Sequence, residues 1–157
     1  MTVITHARRP SQLSRLINAP GGISVGVALT QARANIETRR AEAMAAVDAQ
    51  IAILEALAPP ADLAEATSRL AEAYRGAAAV IDAAGPFDLK ELCQAAEGLC
   101  DLIDAAAPNQ PFDWRLVTVH AQSLRLLRTL PAEEAAARTR IMEDLGKVVS
   151  RKIAQIG

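Results

Sequence analysis

Of the two histidines in this chain, His6 and His120, only His120 falls inside a patterned segment. An imidazole can accept a phosphoryl group or move a proton near neutral pH. On a helical wheel, however, His120 lies among Leu116, Val117, Leu124 and Leu127, near the middle of an apolar face. That setting predicts a core or interface histidine donating to a backbone or carboxylate partner, with a phosphoacceptor as the alternative. Cys93 and Cys100 stand seven apart, about two helical turns, too far for a mutual disulfide. They read as small buried hydrophobes in a reducing cytoplasm. Glu97, Asp101 and Asp104, at i, i+4 and i+7, place three carboxylates on one helix face, and Arg125 and Arg128 supply cations on a later helix. These five residues are the candidate partner-binding set. No Ser/His/Asp or Cys/His pairing and no metal-ligand spacing stands out, so no catalytic residue, metal or cofactor is expected and the chain is not read as an enzyme.

Helices must position these side chains. The stretches Pro86 to Ala106 and Pro111 to Leu130 both open with Pro-Phe-Asp and continue with apolar residues three and four apart. Asp88 is the expected N-cap of one, with Glu91 completing a capping box and Phe87 and Leu92 spaced as a hydrophobic staple. Asp113 repeats the cap, and Phe112 with Val117 the staple. From Ser24, a good N-cap, no proline intervenes until Pro59-Pro60, and Val25, Leu29, Ile36, Val47, Ile51 and Leu54 keep helical spacing. One helix of about 50 Å is predicted there, with Arg39 and Arg40 at a solvated or bundle-end position. Asp62 begins the next helix, with Leu63, Thr67, Leu70, Tyr74, Ala77 and Ile81 as its expected core face, and Gly85-Pro86 ends it through a left-handed glycine. A last helix follows Pro131, with Ile141, Leu145, Val148 and Val149 as its stripe. Gly21-Gly22 lacks the Lys-Ser/Thr of a phosphate loop and reads as a turn.

The predicted fold is therefore all-α: an antiparallel helical bundle of about five helices with one long N-terminal helix. Residues 1-22 form a basic segment with a possible short helix at Pro10 to Asn18, and residues 23-157 a single bundle domain. Composition agrees. The 157 residues are 51% hydrophobic but only 3% aromatic, which favours close helix packing through small side chains over strands. A net charge of −1 argues against a nucleic-acid partner, which needs a basic face. No apolar run of about 18 residues or signal-peptide core is found, so neither a membrane span nor export is expected. Charge is uneven. Residues 61-108 hold nine acidic and three basic residues, net −6, and residues 109-157 five acidic and eight basic, net +3. The acidic half offers a surface to a basic partner.

Two resemblances narrow the role. Histidine phosphotransfer domains have a similar architecture, but their histidine is followed three positions on by a basic residue and then a glycine; here Ser123 and Leu124 hold those positions. Asn18-Ala19-Pro20-Gly21-Gly22 before a long helix, Leu99-Cys100-Asp101-Leu102-Ile103-Asp104, and Val119-His120-Ala121 running into Leu124-Arg125-Leu126-Leu127 together resemble the small CheE-type proteins of bacterial chemotaxis operons. That resemblance implies a cytoplasmic, non-enzymatic accessory of a chemotaxis or two-component pathway. Its expected partner is a response regulator or a histidine kinase component. A homodimer, built on the long helix and on leucines such as Leu126, is the structural alternative.

Overall fold

Alanine and leucine at three- and four-residue spacing, broken by proline and glycine, yield helices along the described residues. The computed structural model describes residues 21–107, 110–131 and 133–156. Six α-helices lie among them: α1 Val25–Glu37, α2 Arg40–Ala56, α3 Leu63–Ala84, α4 Lys90–Asp104, α5 Arg115–Thr129 and α6 Ala135–Ile156. No strand occurs among the described residues. The chain divides into two compact units, residues 1–35 and 36–157. The possible helix at Pro10 to Asn18 lies outside the described residues.

Ser24 caps α1 as its position suggests, accepting from the Val27 amide at 3.4 Å through its hydroxyl. The single long helix does not form. Thr38 and Arg39 make a turn between α1 and α2, in which the Arg39 amide donates to Ile36 O at 2.9 Å. Polar residues Glu37 to Arg40 interrupt the apolar stripe there, and Arg40–Glu37 and Arg39–Glu42 ion pairs clasp either side of the break. This turn raises the helix number from the expected five to six.

In the second unit α2 packs on α3 and α5, α3 on α4, and α4 on α5 and α6. The core joins Val47, Ile51 and Leu54 of α2 with Ala73, Ala77 and Val80 of α3, Leu92, Ala96 and Leu99 of α4, and Val117, Leu124 and Leu127 of α5. Gly76 lets α2 and α3 close together: a Cβ there would lie 2.9 Å from Leu54 Cδ2. In α6, Leu145 is buried while Ile141, Val148 and Val149 are half-buried and Ile153 is exposed.

The helix starts differ from expectation. Asp88 does not cap α4. It sits at φ 58°, closing a 3-10 turn over Gly85–Phe87, and α4 starts two residues later without a side-chain cap. Gly85 is right-handed, so the left-handed residue that the chain reversal needs is Asp88, a type that tolerates the region. Arg40 lies over the Phe87 ring, 4.9 Å from its centroid, so the phenyl is held by a cation rather than by a staple alone. Asp113 stands one residue before the N-cap of α5, which is Trp114, yet its carboxylate still accepts from a first-turn amide, that of Arg115, at 3.3 Å. The same carboxylate accepts from the Arg115 guanidinium and pairs with Lys152 of α6. Those two cations hold its carboxyl at a pKa of about 2, the Arg115 hydrogen bond contributing most. The reciprocal cap occurs on α3 instead: Asp62 accepts from the Glu65 amide at 2.8 Å, and Glu65 accepts from the Ala61 amide at 2.9 Å.

Candidate functional site

The α3 sequence carries two apolar stripes about 90° apart at 3.6 residues per turn. The core takes the small one, Ala73, Gly76, Ala77, Val80 and Ala84. The large one, expected inside, is left at the surface over its first three turns. Leu63 is 56% exposed and Tyr74 37%, Thr67 is exposed, and Leu70 is half-buried. Small residues win because they bring the α2 and α3 backbones closer, which excludes more water from both helices. The displaced stripe becomes one wall of an open groove of about 510 Å³, whose other wall is Ile103, Asp104, Ala106 and Ala107 at the end of α4.

Glu97, Asp101 and Asp104 are all exposed on α4, and among the described residues none forms an ion pair. Asp104 lines the groove itself. The Tyr74 hydroxyl feels this row: its pKa is raised, chiefly by the Asp104 charge and then by Cys100, burial and Asp101. Asp101 and Asp104 also fall in the last turn of α4, which carries no basic residue. Carboxylates there oppose the negative end of the helix dipole, at about 0.3–1 kcal/mol each. The acidic row is thus electrostatically uncompensated within the described residues.

Arg125 and Arg128 do not join that row. Arg125 donates to Glu55 at 2.8 Å and Arg128 to Asp48 at 3.0 Å, both on α2. Neither is the freely solvated cation expected of a binding surface; both are half-buried braces between α5 and α2. Arg138, which no sequence pattern singled out, is a third brace. It pairs with Glu91 of α4 and donates to Leu127 O at 2.8 Å and Leu130 O at 3.0 Å, satisfying carbonyls at the end of α5. A second groove of about 530 Å³ runs past Arg40, Arg128 and Arg138. Each of those cations already has a carboxylate partner, Glu37, Asp48 and Glu91 respectively. That groove therefore offers less free charge than the α3/α4 one.

His120 is fully buried. Its Nδ1 lies 2.7 Å from Leu116 O, and since a carbonyl only accepts, Nδ1 carries the proton. Nε2 is then a bare lone pair, with no partner. It faces Gly98 of α4, where a Cβ would come 3.6 Å from Nε2 and 3.2 Å from Val149 of α6. Burial lowers the imidazole pKa, opposed by the bond to Leu116. A neutral imidazole in this enclosure has neither the access nor the anion-stabilising donors that phosphoryl transfer needs. Cys100, buried on the same helix as the acidic row, has its thiol pushed up to about 11 by burial and by Asp104, Asp101 and Glu97, which makes it a poor nucleophile. No group of three or more metal-ligating side chains occurs among the described residues, and no described helix is long and apolar enough to cross a membrane. Compared with protein-family models, with curated proteins and with solved structures, the chain finds no match in any of the three.

Proposed function

We propose that this chain is a non-enzymatic adaptor whose helices α2 to α6 form an antiparallel bundle, and that it binds a protein partner through the α3/α4 face. The observation that carries this reading is the unpaired row Glu97, Asp101 and Asp104 beside an open apolar groove. Exposed charge sets association rate and register, and adjacent apolar surface supplies affinity. Short linkers between helices that pack on their sequence neighbours support the antiparallel arrangement. The pathway, bacterial chemotaxis or two-component signalling in the cytoplasm, rests on the CheE-type motifs, and the partner on that reading is a response regulator or a kinase component.

Charge reversal tests this. Asp101→Lys with Asp104→Lys changes two exposed residues and should leave the fold intact, with an unfolding midpoint equal or raised because lysines suit the negative end of the α4 dipole. Titration calorimetry against purified response regulators and kinase components should show a loss of affinity of about tenfold, about 1.4 kcal/mol, with a shallower salt dependence. Binding that is indifferent to the reversal would sink the proposal. So would uptake of acid-labile phosphate that His120→Leu abolishes, since that outcome belongs to a phosphotransfer protein.

A further inference from the structure

We infer that the α3/α4 groove receives a basic amphipathic helix of a partner protein, its apolar side chains against Leu63, Leu70, Tyr74 and Ile103 and its cations at Asp101 and Asp104. This inference rests on the interaction-module reading above and adds the chemistry of the occupant. Three features select that occupant. First, the wall is helical in repeat: residues 63, 67, 70 and 74 span about 16 Å, the length of about three helical turns. A partner helix of equal length can set side chains at i, i+3, i+4 and i+7 against it throughout, which a compact ligand does not. Second, small residues, Ala66, Ala71 and Ala106, flank the large ones in the lining and leave room for the partner's large apolar residues. Third, the charge at the Tyr74 end is net negative, Asp101 and Asp104 against Arg75, and neither carboxylate has an ion-pair partner among the described residues.

Asp101 and Asp104 gain nothing from their own helix terminus, so a cation placed there turns an unfavourable local field into an attraction. The cation already in the lining, Arg75, is turned back on its own helix, its Nε donating to Ala71 O at 3.2 Å. Anionic occupants, nucleic acid or an acidic peptide, would be repelled at the same point. A neutral small molecule would leave both carboxylates unpaired beside an apolar contact.

The probe is an end-capped peptide of about eleven residues, built from leucine, alanine and lysine, with one leucine stripe and lysines toward one end. Its control replaces each lysine with glutamate. Fluorescence anisotropy with the full chain should give saturable binding of the lysine peptide that weakens with salt and is about tenfold or more tighter than for the control. Leu63→Glu, on an exposed side chain, should cost a similar factor while the unfolding transition stays in place. Equal binding of both peptides, no binding of either, or indifference to Leu63→Glu would overturn the inference. So would a dimer that Leu63→Glu dissociates, because the occupant would then be a second copy of this chain. If regulators or kinase components bind but the peptide does not, this inference fails and the adaptor reading stands. If the peptide binds and they do not, the pathway assignment fails and the groove assignment stands.

Discussion

Replacing His120 with leucine removes a buried acceptor that has no partner and puts an apolar side chain of similar reach among Val117, Ala121 and Leu124. The bond from Nδ1–H to Leu116 O is lost, but that carbonyl still accepts its helical bond from the residue four positions on. An unsatisfied buried polar atom costs about 1–3 kcal/mol and a made hydrogen bond contributes about 1 kcal/mol, so the variant should be of equal or slightly greater stability at pH 7.5. Acid separates the two proteins. Burial lowers the folded-state pKa of His120 below its ordinary 6.5, so as pH falls below that value the unfolded chain binds a proton that the fold refuses. Stability is therefore full above pH 6.5 and is lost on acidification, at up to about 1.4 kcal/mol per pH unit for one proton. Over about one and a half units the wild type should lose up to about 2 kcal/mol through this site and the leucine variant none. For a chain of this size that is a difference in midpoint of about 4–8 °C. His6 is common to both proteins and cancels in the comparison. Thermal unfolding followed by far-UV circular dichroism at several pH values between about 5 and 7.5 measures the difference directly. Parallel pH profiles for the two proteins would refute the assignment of a buried, neutral imidazole.

Gly76→Ala should lower stability by about 1 kcal/mol in urea titrations: alanine gains helix propensity, but its Cβ must displace the buried Leu54 side chain that now lies 2.9 Å away. An unchanged or raised midpoint would show that α2 can yield. Cys100 should resist iodoacetamide at pH 8 in the native protein and react readily in denaturant, since its thiol is held at about 11; mass mapping of the alkylated peptides tells it from Cys93. Asp113→Asn should remove a stabilising contribution of about 1 kcal/mol, allowing for solvent screening, because it releases Arg115 and Lys152. The carboxyl is depressed in the fold, so its contribution is present above its ordinary 3.8 and is lost as pH falls toward 2. The two proteins should therefore converge in acid, and a gap that persists below pH 2 would point to a steric cause instead.

The amino-acid sequence by itself determined the class and the punctuation. Helical spacing made every described element a helix, Pro59-Pro60 and Pro131 marked ends, Ser24 and Asp62 marked starts, and Glu97, Asp101 and Asp104 were on an exposed face as their i, i+4, i+7 repeat requires. These are local properties, fixed by residues within a turn or two of one another. Tertiary structure decided what depends on a neighbouring helix. Both Pro-Phe-Asp segments look alike, yet Asp88 goes left-handed to reverse the chain while Asp113 is drawn to Lys152, thirty-nine positions on. Arg125 and Arg128 look solvated until α2 presents Asp48 and Glu55 to them. The largest difference lies in α3, where two apolar stripes compete for one core. Periodicity weights them by hydrophobicity and favours Leu63, Leu70 and Tyr74. Packing weights them by how closely two backbones can approach, and Gly76 against Leu54 settles it for the small stripe. The groove exists because the larger stripe lost that competition, an outcome that no single helix encodes.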